Sequence, residues 1–118
     1  MNPNYHDISV RNSSLLVEKI DRVIEQNFQS RGFDLRQMAT ALSMSERQLQ
    51  RQLKSLTGRT PSEYVRTYRL SKSLEYLLAG RTVRETARAV GFSSQAYFAS
   101  CFKAEYGRTP TQYQQRHM

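Results

Sequence analysis

The sequence predicts an all-α protein of about seven helices, arranged as two helix-turn-helix lobes that a long linker helix joins. Apolar residues recur at steps of three and four in successive segments, and most of these segments open with a Ser, Thr or Asp that can cap a helix. The stretch from Gly58 to Tyr64, GRTPSEY, returns as GRTPTQY from Gly107 to Tyr113. A repeat of this kind indicates that one structural unit occurs twice.

The first segments form the predicted first lobe, residues 14–58. Residues 1–13 before it are polar and lack helical periodicity, so they are interpreted as a linker or disordered arm. The apolar stripe that follows runs to around Gly32 and predicts one amphipathic helix. Its members are Leu16, Ile20, Val23, Ile24 and Phe28. Asp34 then caps a short helix, with Gln37 at capping-box spacing.

A second pair of capping residues opens the helix that follows the polar break at Ser43. Ser45 is its cap, and Gln48 stands at the reciprocal position. The predicted buried face consists of Leu49, Leu53 and Leu56. Two helices separated by only a few polar residues predict a helix-turn-helix.

The predicted linker helix occupies residues 59–80. Thr60 supplies its cap, Pro61 suits the first helical position and Glu63 suits the third. Its apolar residues are distributed around the helix axis and do not form one stripe, as expected of a helix that contacts a lobe at each end. Arg66 and Arg69 on this helix are expected to pair with nearby carboxylates, such as Glu63, rather than to read DNA.

The second lobe, residues 81–118, repeats the pattern with one extra residue in or just after its turn. Thr82 begins a helix with a capping box, and Gly91 marks a tight turn that requires a positive φ. The next helix has an apolar face, on which Cys101 is expected to be a small buried residue. The members of that face are Phe98, Cys101, Phe102 and Tyr106. Thr109 opens a last short helix.

Charge and composition indicate a polyanionic partner. The formal net charge is +8 with a pI near 10.1, and the whole excess of positive charge lies in residues 34–118. Arg is more frequent than Lys, and Arg binds phosphates and guanine edges in a bidentate manner. With 38% hydrophobic residues, a chain of this size is not expected to enclose a deep metabolite cavity.

Several classes of site are not expected. His6 and His117 stand at opposite ends without a cysteine or carboxylate cluster at ligand spacing, so neither a metal site nor a cofactor is predicted. No glycine-rich phosphate loop or nucleophile elbow indicates an enzyme. No apolar run approaches the roughly 20 residues of a membrane span. The start of the chain lacks the apolar core of a signal peptide, and Cys101 has no partner for an internal disulfide, which together favour a cytoplasmic location.

Three stretches carry a family resemblance: SERQLQRQLKSLTGRTPSEYVRTYRL, LEYLLAG and GFSSQAYFASCFKAEYGRTP. Over about residues 15–116 the chain resembles the DNA-binding domain of the AraC/XylS transcription regulators. The resemblance implies a bilobal, homeodomain-like domain whose third and sixth helices enter successive major-groove segments on one face of DNA. It also implies RNA polymerase as a partner, activation as the usual effect, and a place behind a sensor or dimerisation part, as in hybrid two-component sensors.

Two sets of exposed positions are the candidate base readers. In the first recognition helix Leu49 and Leu53 point inward, so Arg47, Gln50 and Arg51 point outward. The resemblance also implies base contacts at these three positions. The candidates are Arg47, Gln50 and Arg51 in the first recognition helix and Gln95, Tyr97 and Ser100 in the second. Ala96 and Ala99 can contact only a thymine methyl group, so the first lobe is expected to discriminate more between sequences. The alternatives are that the arginines only face phosphates, and that Tyr97 packs on its own helix or contacts a phosphate.

Candidate phosphate contacts occur at helix starts and at basic residues near helix ends. A capped N-terminus presents free N–H groups to an anion. The capping candidates are Ser45, Thr60, Thr82, Ser94 and Thr109. The basic candidates, which recur at matched places in both lobes, are Lys54, Arg59, Lys103 and Arg108.

The sequence therefore predicts a sequence-specific transcription regulator that binds double-stranded DNA. As an isolated domain it is expected to be a monomer, with recognition helices about 34 Å apart, and to associate with the bacterial nucleoid in the cytoplasm. The alternative is a basic helical adaptor that binds RNA or an acidic protein. Most aromatic residues fall on inner stripes, whereas RNA recognition uses exposed stacking rings, and this favours duplex DNA.

Overall fold

The computed structural model describes the backbone of residues 3–117 and the side chains of residues 15–117. Within that range all regular secondary structure is helical, which confirms the predicted all-α class. The seven helices of the described range are α1 (Pro3–Asn27), α2 (Leu35–Ala41), α3 (Glu46–Thr57), α4 (Pro61–Leu78), α5 (Val83–Ala89), α6 (Gln95–Tyr106) and α7 (Pro110–Arg116).

Helix α1 begins earlier than the sequence predicted. A linker or arm was expected over residues 1–13, but helical backbone starts at Pro3. The physical reason is the lack of a helix breaker, since neither Pro nor Gly occurs between Pro3 and Gly32 and Pro is well suited to the first helical position. Polar residues alone do not end a helix. Met1 and Asn2 lie outside the described residues.

The chain divides into two compact units. The first takes the chain up to Asn27 together with Phe33–Glu63, and the second takes Phe28–Gly32 together with the chain from Tyr64 onward. The predicted division treats residues 59–80 as a separate linker. In the structure most of α4 belongs to the second unit, because that unit includes everything from Tyr64 onward.

In the first unit, α1 and α2 pack against α3 and against each other. Leu49 and Leu53 of α3 are 0% exposed, and the rest of the core is mostly aliphatic. Its other buried members are Ile20, Ile24, Phe33, Met38 and Ala39. Leu56 was predicted to share this face but is 36% exposed. Helix α2 has seven residues against twelve in α3, so it is too short to cover the last turn.

A series of aromatic rings in edge-to-face and tilted contact forms the core of the second unit, where α6 packs against α5 and α7. The ring centroid of Phe98 lies 5.2 Å from that of Phe92 and 5.7 Å from that of Phe102. Phe102 in turn lies 5.7 Å from Tyr113 of α7. Tilted ring pairs of this kind stabilise by about 0.5–1.5 kcal/mol beyond their buried area. Cys101, predicted to be buried, is only partly so, because it lies at the edge of this face.

The turn between α2 and α3 matches the turn between α5 and α6. Each contains one residue of positive φ after the first helix, Ser43 at 54° and Gly91 at 92°, which confirms the prediction for Gly91. The residue that follows, Met44 or Phe92, donates its N–H to a carbonyl oxygen of the preceding helix at 2.9 Å. The extra residue predicted for the second copy is Ser93, which stands just before the cap of α6. The duplication therefore extends to individual backbone hydrogen bonds.

Arg69 of α4 binds the segment that follows α1, a role that the sequence did not predict. Its Nε donates to the carbonyl oxygen of Phe28 at 2.9 Å, and its Nη2 donates to that of Ser30 at 2.8 Å. Carbonyl groups after the last turn of a helix lack partners within the helix, so these bonds satisfy them. Burial lowers the pKa of the Arg69 guanidinium, because desolvation disfavours its charged form.

Thr86 of α5 is 0% exposed, and among the described residues its Oγ1 is a buried side-chain atom without a hydrogen-bond partner. An unsatisfied buried hydroxyl costs about 1–3 kcal/mol of desolvation. Thr86→Val is therefore expected to raise the free energy of unfolding by about 1 kcal/mol in urea denaturation. The control is Thr40→Val, since the Thr40 hydroxyl donates to the carbonyl oxygen of Arg36 at 2.9 Å. An equal stabilisation in the control would contradict this explanation.

Candidate nucleic-acid interface

Helix α3 separates a buried apolar face from an exposed polar one. Leu49 and Leu53, at 0% exposure, form the apolar face. The predicted base readers all lie on the exposed face and are Arg47, Gln50 and Arg51. The separation follows from the helical period, because residues three and four apart share a face while their neighbours point away from it. All three predicted readers of α3 are thus available to a partner along one helix.

Helix α6 has the same arrangement with fewer charges. Phe98 and Phe102 are 0% exposed. The predicted readers are exposed, and they are Gln95, Tyr97 and Ser100. The Tyr97 ring lies 5.7 Å from Phe92 at a tilt of 59° and is nevertheless 48% exposed. It therefore packs against the base of the turn while part of the ring stays available for contact.

Three of the predicted phosphate-binding helix starts have neutral caps. Ser45 and Thr109 each accept the N–H of the third helical residue, and each donates its own N–H to the side-chain oxygen of that residue, Gln48 or Gln112. Ser94 accepts the N–H of Tyr97 at 3.1 Å. Among the described residues no carboxylate accepts a hydrogen bond in these three caps. Glu46 nevertheless lies in the first turn of α3, so the starts of α6 and α7 leave more of the helix dipole to an anion.

The caps of α4 and α5 differ because each contains a carboxylate. Thr60 donates its hydroxyl hydrogen to Oε1 of Glu63 at 2.9 Å. Thr82 does the same to Oε1 of Glu85, also at 2.9 Å. Each carboxylate stands where an anion would otherwise interact with the helix dipole. These two helix starts are therefore less favourable for a phosphate than those of α6 and α7.

The basic candidates occupy matched places at the ends of α3 and α6. Lys54 and Lys103 are exposed in the last turns, and the carbonyl oxygen of each accepts the N–H of the glycine after the helix at 2.8 Å. Arg59 and Arg108 follow these glycines and are partly buried. Because the local backbone geometry is the same, each unit presents the same pair of cations at the same place.

A family model described as a helix-turn-helix domain matches residues 38–116. The chain belongs to the AraC/XylS-type helix-turn-helix family. This confirms the recognition made from the sequence. The matched range of the AraC-type domain contains both turns, α3 and α6, and with them every predicted contact residue.

Relatives and solved structures agree with the AraC-type assignment. The chain is 30% identical over 103 residues to "Histidine kinase P4" of Formosa agariphila, covering 86% of this chain and 8% of that protein. It is 31% identical over 107 residues to "HTH-type transcriptional activator RhaS" of Mannheimia succiniciproducens, covering 90% and 40%. The crystal structure of the DNA-binding domain of AdpA in complex with a target DNA matches with a TM-score of 0.78 at 27% identity, covering 86% of this chain and 91% of that one. This chain therefore spans less than half the length of either curated relative.

The AraC-type domain also contains a cationic pocket that the sequence did not predict. Arg31, Arg84 and Arg88 line this cavity of about 190 Å³, which lies within the second unit. Arg84 and Arg88 stand one helical turn apart on α5, a spacing that could have indicated a shared face. Arg31 lies far from them in the chain, and no local pattern connects it to α5.

The described part of the AraC-type domain offers neither a metal centre nor a membrane-spanning helix. Within the described residues, no group of three or more His, Cys, Asp and Glu side chains is placed to hold a metal ion. The side chain of His6 lies outside that range. Over the same part of the chain, no helix combines the length and the apolar character needed to cross a bilayer.

Proposed function

We propose that this AraC-type domain binds one specific duplex DNA site by placing α3 and α6 in two adjacent segments of the major groove. DNA-binding transcription regulation is the function of its family and fold. One observation carries the proposal: in both helices the central apolar residues are 0% exposed, which leaves the opposite face to a partner. These residues are Leu49 and Leu53 in α3 and Phe98 and Phe102 in α6. Recognition helices of about three turns fit the major groove in this way.

We infer that the exposed side chains of α3 and α6 read base edges. An arginine can donate two hydrogen bonds to guanine O6 and N7, and a glutamine can pair with adenine N6 and N7. Helix α3 supplies two arginines and one glutamine for this purpose, namely Arg47, Arg51 and Gln50. Helix α6 supplies Gln95 and Ser100, with Tyr97 as a further contact. The first unit thus contributes more of the discrimination than the second.

Phosphates are bound, in this proposal, at neutral helix starts and by the repeated cations. The residues concerned are Ser45, Ser94, Thr109, Lys54, Arg59, Lys103 and Arg108. Thr60 and Thr82 contribute least, because the carboxylates of Glu63 and Glu85 repel an approaching phosphate. Contacts of this class position the domain and carry no sequence information of their own.

In the whole protein, the domain is proposed to place a fused part beside a promoter. The small share of a histidine kinase that this chain covers supports a fused sensor or dimerisation part. RNA polymerase is the proposed partner and activation the proposed effect, in the cytoplasm at the nucleoid. We expect the isolated domain to be a monomer and to need no cofactor. We also expect it to catalyse no reaction.

The decisive experiment is selection of bound duplexes from a random pool, followed by competition. The expected result is a non-palindromic site of nearly two helical turns, bound by one copy of the chain. Structured RNA should compete no better than random duplex. If structured RNA displaced the protein as well as the selected duplex did, the alternative of a basic RNA-binding adaptor would replace this proposal.

Lys103→Ala is expected to weaken binding to selected and random duplexes by the same factor. The exposed ammonium neutralises one phosphate in this proposal, so its loss should reduce the slope of log K against log salt by about one. Fluorescence anisotropy at several salt concentrations measures both quantities. Lys19→Ala, which removes an exposed cation of α1, is the matched control and should leave the slope unchanged. A loss confined to the selected duplex would show that Lys103 reads a base.

A further inference from the structure

The cationic pocket of the second unit has the composition of an anion site. Its basic lining residues are Arg31 from the segment after α1 and Arg84 and Arg88 from α5. Phe92, which is 4% exposed, also lines the pocket. Among the residues whose side chains the structure describes, no carboxylate lines the cavity. Three guanidinium groups around one cavity repel each other unless an anion joins them.

The three arginines are free to bind such an anion. Each is exposed, and within residues 15–117 none has a carboxylate partner or a hydrogen bond to another side chain. Arg69 provides the contrast, since carbonyl oxygens of the same unit engage its guanidinium group. Arginine presents its N–H groups in a planar fork that matches two oxygens of a phosphate.

The N-terminus of α6 completes the pocket. Ser93, Ser94 and Gln95 are part of its lining. The Ser94 hydroxyl engages only the N–H of Tyr97, so the backbone N–H of Gln95 at the start of α6 remains for a ligand. A helix of twelve residues adds the positive end of its dipole to the charge of the arginines.

The pocket is specific to the second copy of the repeat. Arg84 has a counterpart in Arg36 of α2, but Arg88 corresponds to Thr40, whose hydroxyl donates to its own helix at 2.9 Å. The extra residue of the second turn, Ser93, is itself part of the pocket lining. The first unit therefore lacks both one of the three cations and the inserted residue.

We propose that this pocket binds a phosphate group, and that its occupant is a phosphate of the DNA backbone next to the bases that α6 reads. This inference rests on the proposed function. Gln95 lines the pocket and is also a candidate base reader, so an anion held there lies beside the DNA contacted by α6. The second unit would thus be held to DNA by a clamp of three arginines, compensating for its few base-reading side chains.

The test compares the wild-type protein with Arg31→Ala/Arg88→Ala and with the control Arg116→Ala, an exposed arginine of α7 outside the pocket. Affinity for selected and random duplexes is measured by anisotropy across a salt series. The expected result is a roughly three- to tenfold loss on both duplexes near 0.1 M salt and a slope smaller by about one for the pocket variant alone. Single phosphates of the duplex are then replaced by methylphosphonate. At one position this replacement should weaken binding of the wild type and of Arg116→Ala but not of Arg31→Ala/Arg88→Ala.

A second arm adds sodium pyrophosphate to the isotope-labelled protein without DNA and follows the amides of Ser93 and Gln95 by NMR. A saturable shift in the wild type, absent from Arg31→Ala/Arg88→Ala, is expected and supports a phosphate site. Unchanged DNA affinity and slope in that variant would overturn the DNA phosphate as occupant. If the wild type nevertheless bound pyrophosphate through these arginines, the occupant of the pocket would be a free phosphorylated ligand. Failure of the wild type to bind any duplex would instead refute the proposed function, and pyrophosphate would still decide whether the pocket takes phosphate.

Discussion

Replacing Gly91 by alanine is expected to destabilise the second unit by about 2–5 kcal/mol, the sum of a backbone strain and a steric clash. A Cβ atom at this position would lie 2.2 Å from the carbonyl oxygen of Phe28 and 2.9 Å from Nε of Arg69. The backbone oxygen cannot move aside without disturbing the backbone of the segment that follows α1. The guanidinium group is fixed as well, since the same Nε donates to that oxygen at 2.9 Å. The φ of 92° adds strain for any residue with a side chain.

Gly107→Ala separates these two contributions. Gly107 also has a positive φ, 76°, but a Cβ atom there would meet nothing within 4 Å. Its alanine variant should therefore cost only the backbone strain, about 1–2 kcal/mol. Urea denaturation followed by circular dichroism measures both values. Equal losses at Gly91 and Gly107 would mean that the close approach to Phe28 and Arg69 contributes nothing.

The helix starts and the turns could be predicted from the sequence because the interactions that form them are local. A cap needs one hydroxyl and the N–H group three residues later, and both lie within a few letters of the sequence. Ser45, Ser94 and Thr109 all cap helices in the structure. The positive φ of Gly91 was likewise predictable from its place between two helical patterns.

Contacts between distant segments could not be predicted in the same way. Gln114 of α7 donates to the carbonyl oxygens of Leu77 at 3.0 Å and Arg81 at 2.7 Å, and so binds the end of α4. A glutamine in a polar stretch carries no sign of such a partner. Arg69 is a similar case, since its acceptors Phe28 and Ser30 precede it by 41 and 39 residues.

The candidate interface likewise contains one part that local spacing predicts and one part that depends on contacts between distant segments. The exposed faces of α3 and α6 follow from the helical period once Leu49 and Phe98 are assigned to the core. Both are 0% exposed, which confirms their assignment to the buried faces of α3 and α6. The arginine pocket depends on where the segment after α1 is placed beside α5, which is a tertiary contact. Local spacing could therefore supply Arg84 and Arg88 but not Arg31.

The double variant Arg47→Ala/Arg51→Ala is expected to remove most of the preference for selected over random duplex. Each bidentate contact contributes about 1–3 kcal/mol of discrimination, so the pair contributes roughly 2–6 kcal/mol, about 30-fold to more than 10⁴-fold in relative affinity. Both side chains are exposed, and the free energy of unfolding should change by no more than about 0.5 kcal/mol. Arg22→Ala/Arg116→Ala removes the same charge from exposed positions outside the proposed contacts and should leave the preference intact.

The matched variant in the second unit is Gln95→Ala/Ser100→Ala. Its flanking residues Ala96 and Ala99 add only methyl groups, and a single amide with one hydroxyl supplies fewer base-specific hydrogen bonds than two arginines do. We therefore expect less than half the loss of discrimination seen for Arg47→Ala/Arg51→Ala, measured with the same selected and random duplexes. A loss as large as that of the arginine variant would contradict the asymmetry between the units. If the arginine variant lost equal affinity on both duplexes, its side chains would contact phosphates and base reading would rest on other residues.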